Sequence, residues 1–176
     1  MDSYFKTDVA VHRLFNEWKK HPKLIIACDF DETVFDTHKR NTDHSMVLAI
    51  LKKCKEVGFY VTLWTASNVE RYPMMKEFMK ENGIEIDGIN ENVIELPYGN
   101  NKKIYANIFL DDRAGLGQAY TTLATVLHLI EIENQSITDE QNPSPPAPES
   151  PVDSTPDSPQ PPTPVYAQND IPQSTV

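Results

Sequence analysis

The 176-residue sequence has few cysteines, few glycines and no long apolar run. Its two cysteines cannot form the disulfide framework of a small secreted domain, which fits a reducing compartment. The apolar runs are far too short to span a bilayer, and the N-terminal residues lack the basic start and apolar core of a secretory signal. These absences predict a soluble, cytoplasmic protein with no membrane partner.

Basic residues are missing from the C-terminal part of the chain. No lysine or arginine follows Arg113, whereas 11 of the 14 prolines lie at or after Pro143. Residues 135–176 carry six acids and only scattered apolar residues, so they cannot bury enough surface to offset their ordering entropy. We therefore predict a folded domain over residues 1–134 and a disordered, proline-rich acidic tail over 135–176. The tail is either a passive solubilising segment or a docking segment for a Pro-binding partner.

Candidate buried strands alternate with amphipathic helices in the first part of the chain. Three apolar runs have the length of strands buried on both faces: KLIIACDF, FYVTLWTAS and IYANIFLDD. Ser67 and Glu70 form a capping-box pattern that predicts a helix from there to about Gly83. Residues 93–96 are a further candidate strand. The pattern predicts right-handed βαβ crossovers and a three-layer α/β sandwich around a Rossmann-like parallel sheet.

Polar side chains follow each of these strands. Asp29 and Asp31 follow the first strand, Thr65 follows the second, and Asp111 and Asp112 end the third. The carboxyl ends of parallel strands meet at one edge, so these side chains should converge there. Asp29 is a candidate nucleophile and Asp31 a candidate general acid and base, although the pair alone also fits an acidic turn or half of a cation-binding loop. The adjacent pair of aspartates suits a hard cation such as Mg²⁺.

Two further residue types are candidates for binding an anion. Thr65 precedes the predicted capped helix, where a hydroxyl and free N–H groups bind phosphate oxygens, but an ordinary ST-turn gives the same pattern. Lys103 lies just before the third strand, where it could neutralise a nucleophile and a phosphoryl group together. Lys102 competes with it for this role. The acidic charge of the chain argues against non-specific binding to nucleic acid.

Taken in order, these elements resemble the four motifs of the haloacid dehalogenase (HAD) superfamily of phosphohydrolases. The resemblance covers about residues 24–127, with DFDET as the first motif, LWTAS as the second, Lys103 as the third and FLDDRAG as the fourth. The chain departs from the family at Ile104, where close members have a proline after the lysine. The second acid of the first motif, Asp31, is lacking in dehalogenases and ion-pumping ATPases of the superfamily, so its presence favours a phosphatase.

The resemblance implies a role for each matched residue. Asp29 would attack phosphorus and carry an aspartyl-phosphate, while Asp31 would protonate the leaving oxygen and then activate water. The phosphoryl oxygens would be held by Thr65, Ala66 and Lys103. The cofactor would be Mg²⁺, and its ligands would come from four residues: Asp29, the carbonyl of Asp31, Asp111 and Asp112.

The segments between the motifs bear on the substrate. Residues 34–64 and 68–102 are too short to hold a cap domain, so the resemblance implies a small capless (C0-type) member with an open site. Such a site suits a phosphorylated substrate that could be macromolecular. The leading hypothesis is a Mg²⁺-dependent phosphomonoester hydrolase. The alternatives are a phosphatase of nucleotides or nucleic-acid ends, and a non-catalytic HAD-like binding module that presents the tail.

Overall fold

Helices and strands alternate along the chain. The computed structural model describes residues 6–97 and 103–141. The elements in chain order are α1 (Thr7–Lys20), β1 (Ile25–Cys28), α2 (Ser45–Glu56), β2 (Tyr60–Leu63), a 3₁₀ helix (Val69–Arg71), α3 (Tyr72–Glu81), β3 (Gly88–Ile89), β4 (Ile108–Leu110) and α4 (Leu116–Gln141). The strands form one sheet in the order β3-β2-β1-β4, and all neighbouring pairs are parallel.

The strand β1 lies inside the sheet and is covered on both faces. Each of its residues is buried, and successive side chains of a strand point to opposite faces. A continuous apolar sequence is what such a strand needs, because neither face meets water. The predicted α/β architecture, a three-layer sandwich around a Rossmann-like parallel sheet, is confirmed.

The register of the sheet brings three strand ends together. Cys28, the last residue of β1, pairs with Leu63 of β2 on one side and with Leu110 of β4 on the other. The residues that follow these three positions therefore leave the sheet at the same edge. This alignment is the structural basis of the candidate site.

The helices bury one face each against the sheet or against one another. In α1 the buried residues are Val11 and Leu14, and this helix packs against α4. Complete burial of a leucine such as Leu14 contributes roughly 1.5–3 kcal/mol to the free energy of folding. Lys19 also pairs with Glu133 at 2.9 Å, but both side chains are over 40% exposed and the ion pair contributes little.

An aromatic cluster anchors the loop that follows β1. The rings of Phe30 and Phe35 stack with centroids 5.1 Å apart, and Phe78 of α3 meets both edge-on. Such pairs add about 0.5–1.5 kcal/mol each beyond the burial of their area. The loop that carries the first acidic motif is thereby fixed to α3.

The helix predicted to begin at the capping box begins later. Ser67 and Glu70 do not form the box, and α3 starts at Tyr72 after the short 3₁₀ helix. The hydroxyl of Ser67 is engaged elsewhere, because it donates a hydrogen bond to Asp31. Pro73 lies in the first turn of α3, where its fixed φ and missing N–H are tolerated.

Two further sequence expectations differ from the structure. The fourth strand is β3 at Gly88–Ile89 rather than residues 93–96, which form bends and coil. The helix α4 runs to Gln141, so the first seven residues of the predicted tail are helical rather than disordered. Residues 135–141, QSITDEQ, contain no glycine or proline that would end the helix at 134. The rest of the tail lies outside the described residues.

The segments between the motifs hold no separate domain in the described part of the chain. Between β1 and β2 lie a loop and α2, and between β2 and β4 lie the 3₁₀ helix, α3 and β3. Cys28 and Cys54 are both buried and free of disulfides. No helix among the described residues is both long enough and apolar enough to cross a bilayer.

Candidate active site

A cavity of about 570 Å³ lies where the three strand ends meet. Its walls come from the residues directly after β1, β2 and β4, as the sheet register requires. The lining residues are Asp29, Asp31, Trp64, Thr65, Ala66, Ser67, Asp111, Asp112 and Arg113. The structure therefore brings together every predicted site residue except Lys103.

Asp29 is half-buried and held in place by a chain of hydrogen bonds. Its N–H donates to the carbonyl of Leu110 at 2.9 Å, which continues the sheet by one residue. The hydroxyl of Thr33 donates to Asp29 Oδ2 at 3.2 Å, and the same hydroxyl accepts the N–H of Asp112 at 3.0 Å. Thr33 is fully buried, so it links the first and last acidic motifs from beneath the cavity.

The environment of Asp29 disfavours its negative charge. Burial raises the pKa of its carboxyl group, hydrogen bonds from Phe30 and Thr33 lower it, and the charges of Asp111 and Asp112 raise it; together they give a pKa of about 6. A carboxylate held next to two others without a compensating cation is an arrangement typical of functional sites.

Three carboxylates form a cluster of the size a cation needs. One oxygen each from Asp29, Asp111 and Asp112 lies within 4.8 Å of the others. Oxygen ligands of one Mg²⁺ ion lie about 2.0–2.1 Å from it and hence about 3–4.2 Å from one another, so this cluster is of the right order of size for one shared ion. The N–H of Arg113 donates to Asp111 Oδ1 at 2.8 Å and restrains that side chain. The oxygen donors therefore fit a hard cation.

Asp31 lies apart from this carboxylate cluster and is paired with an arginine. Arg71 Nη2 donates to Asp31 Oδ1 at 2.8 Å, and Arg71 Nη1 donates to Oδ2 at 2.9 Å. Ser67 Oγ donates to Oδ2 at 2.8 Å, and the Thr37 hydroxyl donates to Oδ1. Burial alone would raise the pKa of Asp31, but the hydrogen bonds from Arg71, Thr37 and Ser67 outweigh it and lower the pKa to about 2.

This arrangement bears on the role expected of Asp31. A carboxyl group with so low a pKa carries no proton at neutral pH, so it is not ready to act as a general acid in this conformation. The contribution expected from Asp31 to the metal is its main-chain carbonyl, and that remains a prediction. Its carboxylate is outside the group that could hold a metal ion.

Thr65 is fixed by an asparagine from the end of β3. Asn90 Oδ1 accepts the N–H of Thr65 at 2.8 Å, and Asn90 Nδ2 donates to the Thr65 carbonyl at 2.7 Å. Asn90 has a φ of 55°, a region that asparagine tolerates better than most residues, and its amide also donates to the Tyr72 hydroxyl. The N–H of Ser67 donates to Thr65 Oγ1 at 3.0 Å. The Thr65 hydroxyl keeps its own proton to donate to a ligand oxygen.

The expected placement of Thr65 at a helix N-terminus is wrong. The 3₁₀ helix begins at Val69 and α3 begins at Tyr72, so neither helix begins directly after Thr65. The hydrogen bond from Ser67 instead gives the local ST-turn that the sequence left as an alternative.

The lysine expected as the third motif does not line the cavity. Lys103 is exposed and is not among the residues that line the cavity. Lys102 lies outside the described residues. The cation that lines the cavity is Arg113, and Arg71 reaches the wall through its contacts with Asp31 and Ser67.

Sequence reasoning missed five residues that shape the site. Arg113 could have been found, because it adjoins the aspartate pair. Nothing in the sequence marks Arg71 or Asn90, whose partners lie 40 and 25 positions away, or Thr37, which is six residues from its partner Asp31. The sequence pattern predicts Trp64 only as part of a strand, but it follows β2 and is 36% exposed on the cavity wall.

Comparison with known proteins adds little beyond the fold. No family model matches the chain, and no curated protein matches it. Among solved structures, the chain is similar to the conserved protein coded by a locus from Bacteroides thetaiotaomicron, with 22% identity and a TM-score of 0.48. The match covers 63% of this chain and 92% of that chain. At this identity and score the likeness carries no functional argument, and the fold rests on strand order and burial.

Proposed function

We propose that the chain is a Mg²⁺-dependent phosphomonoester hydrolase of HAD type that acts through an aspartyl-phosphate on Asp29. The observation that carries the proposal is the cluster of Asp29, Asp111 and Asp112, whose oxygens lie within 4.8 Å at the carboxyl edge of a parallel sheet. Bound there, Mg²⁺ would neutralise the carboxylates and polarise a phosphoryl oxygen. The order of the acidic motifs supports the same assignment.

The residues around the cluster suit the first half of the reaction. Asp29 uses the carboxylate oxygen that Thr33 does not hold to attack phosphorus, and the bond from phosphorus to the leaving oxygen breaks. The Thr65 hydroxyl donates to a phosphoryl oxygen, with its main chain held by Asn90. Restraint of both residues before substrate binds reduces the entropy lost in reaching the reactive geometry.

Asp31 is the acid and base of the proposed mechanism. Its proton goes to the leaving oxygen, and it later takes a proton from the water that attacks the aspartyl-phosphate, so Asp29 and inorganic phosphate are regenerated. This role requires Asp31 to be freed from Arg71 and to take up a proton from water before the leaving oxygen departs, because the paired carboxylate carries no proton.

The direct test is to replace the nucleophile. Asp29→Asn should abolish hydrolysis of p-nitrophenyl phosphate with Mg²⁺ present, since an amide does not attack phosphorus. Asp43→Asn is the matched control, because Asp43 is an exposed acid in the same connection between β1 and α2. Mass spectrometry of Asp31→Asn with a good leaving group should detect a trapped phosphoenzyme. Full activity of Asp29→Asn, or undiminished hydrolysis in chelator, would disprove the mechanism.

A nucleotide phosphatase is the second candidate, and Trp64 favours it. A third of this indole is exposed on the wall of a cavity that is larger than a phosphate group requires. A base stacked on an aromatic side chain contributes roughly 1–3 kcal/mol. Trp64→Leu should therefore raise the KM for nucleoside monophosphates while leaving the KM for glycerol phosphate within about twofold. Equal effects on both substrates would remove this candidate.

The alternative of another class is a non-catalytic binding module that presents the proline-rich segment to a partner. Its discriminating result is phosphate or Mg²⁺ binding by the wild-type protein without turnover of any phosphomonoester. The possible Pro-binding partner remains a prediction from the sequence, since the prolines from Pro143 onward lie outside the described residues.

A further inference from the structure

The charges at the cavity are unbalanced for an anionic ligand. Four carboxylates line it, and Arg113 is the only cation among its described lining residues. A phosphoryl group that enters such a cavity meets repulsion even after one divalent cation has bound. The lysine expected to supply a further positive charge, Lys103, is exposed and outside the lining. A second cation is therefore needed close to the cavity wall.

Arg71 is in the right place to supply this charge. Its guanidinium contacts two residues of the lining, Asp31 and Ser67, and its side chain is 35% exposed. Three of its five N–H donors are used in these contacts, and the others have no partner within residues 6–97 and 103–141. The planar fork of a guanidinium binds a phosphoryl group as well as it binds a carboxylate.

The contact with Asp31 is one that a phosphoryl group can replace. Both partners are about one-third exposed, so neither is buried in a way that would make separation prohibitive. Asp31 would keep hydrogen bonds from Ser67 and Thr37 after the guanidinium leaves. The 3₁₀ helix that carries Arg71 is only one turn long, and it has no side-chain cap that would hold its start.

We propose that Arg71 is a phosphoryl-binding residue that exchanges the Asp31 carboxylate for the phosphoryl oxygens of the substrate. The exchange brings a guanidinium onto the substrate and releases Asp31 from its bidentate partner in the same movement. Asp31 is then free for the proton transfers assigned to it. This inference rests on the proposed phosphoryl site, and it concerns binding of the group rather than its hydrolysis.

The test removes the competing carboxylate first. In Asp31→Asn, Arg71 has no carboxylate to pair with, so its effect on anion binding is measured directly. Inorganic phosphate is titrated calorimetrically with Mg²⁺ present into Asp31→Asn and into Asp31→Asn/Arg71→Ala. We expect phosphate binding at least about 10-fold weaker in the double variant, because charge-assisted hydrogen bonds are lost.

Two control variants distinguish a direct contact of Arg71 with phosphate from a general effect of positive charge, and the thermal midpoint identifies a variant that does not fold. Lys76 is an exposed cation in α3, and Lys76→Ala in the Asp31→Asn background should change phosphate affinity by less than about twofold. Arg71→Lys in the same background keeps the charge but loses the fork, and an intermediate affinity is expected. If the alanine variant fails to fold, as judged by its thermal midpoint, the lysine variant carries the comparison.

The outcomes distinguish this inference from the proposed function. Equal phosphate affinity with and without Arg71, or no phosphate binding in either variant, overturns the exchange. Arg71-dependent binding of phosphate together with no hydrolysis of p-nitrophenyl phosphate by the wild-type protein overturns the hydrolase but leaves the Arg71 contact standing. Hydrolysis by the wild type together with phosphate binding that does not depend on Arg71 overturns the Arg71 contact but leaves the hydrolase standing.

Discussion

Replacing the proposed nucleophile should stabilise the metal-free protein. In the folded chain the pKa of Asp29 is raised from 3.8 to about 6, because burial and the charges of Asp111 and Asp112 oppose its ionisation. An ionised Asp29 therefore costs folding free energy at neutral pH. Asp29→Asn removes the charge and keeps nearly the same shape, so the variant should unfold at a higher temperature in the presence of chelator.

The magnitude follows from the shift in pKa. A change from 3.8 to about 6 corresponds to at most about 3 kcal/mol, at roughly 1.4 kcal/mol per unit. Asp29 is only half-buried, and solvent screening reduces this figure to about 1 kcal/mol. For a folded part of this size, about 1 kcal/mol raises the thermal midpoint by about 2–6 °C.

The pH dependence fixes the sign of the effect. Below 3.8 the carboxyl group is protonated in both folded and unfolded chains, and Asp29 costs nothing. As the pH rises from 3.8 to about 6, the unfolded chain ionises first and the wild type loses stability; above about 6 the loss is complete. The variant Asp29→Asn should therefore be as stable as the wild type in acid and should reach its full gain in stability at neutral pH.

Thermal unfolding in chelator across this pH range is the assay. Glu85→Gln is the control for overall charge, because Glu85 is exposed and its loss removes one negative charge from an acidic protein. Addition of Mg²⁺ should raise the midpoint of the wild type and leave Asp29→Asn nearly unchanged. The electrostatic reasoning would be refuted if Asp29→Asn unfolded at a lower temperature than the wild type at neutral pH. It would also be refuted if the thermal midpoint of the variant exceeded that of the wild type by the same amount at every pH.

The remaining predictions concern single contacts. Thr33→Val removes the hydroxyl that joins Asp29 to the Asp112 N–H, and it should cost about 1–3 kcal/mol in unfolding free energy together with most of the activity, measured by denaturant titration and p-nitrophenyl phosphate turnover. Asn90→Ala should lower kcat at least about 10-fold by freeing Thr65, with Mg²⁺ affinity unchanged. Lys103→Ala should cost less than about threefold in kcat/KM because Lys103 is exposed outside the cavity lining, and a loss above about a hundredfold would restore its motif-based role. Truncation after residue 141 should leave the thermal midpoint and turnover unchanged at two salt concentrations, and a salt-sensitive gain in activity would instead indicate autoinhibition.

Elements that repeat a local pattern could be predicted from the sequence. The buried strand Ile25–Cys28 is a continuous apolar run, and the acids after it leave the sheet at its carboxyl edge. The same rule placed Thr65 and the aspartate pair in one cavity. By contrast, β3 contains only Gly88 and Ile89, which is too short to give a hydrophobic pattern.

Contacts between distant residues could not be predicted in this way. Arg71 meets Asp31 across 40 positions, and Asn90 meets Thr65 across 25. Each pairing depends on the register of the sheet and on where a helix begins. The capping-box pattern at Ser67 failed for the same reason, since its hydroxyl found a stronger acceptor in a carboxylate supplied by the fold.

The two sides of the cavity differ in how their charges are compensated, and this difference bears on their roles. Asp29, with Asp111 and Asp112, has no cationic partner among the described residues, and the pKa of Asp29 is raised; Asp31 has a full set of donors, and its pKa is lowered. A purely structural cluster would gain stability by pairing both sides. The uncompensated side suits the cation that we propose to bind there, and the compensated side suits the arginine that we propose to bind an anion. A phosphoryl group between them would be attracted from both directions, which is the electrostatic arrangement that phosphoryl transfer requires.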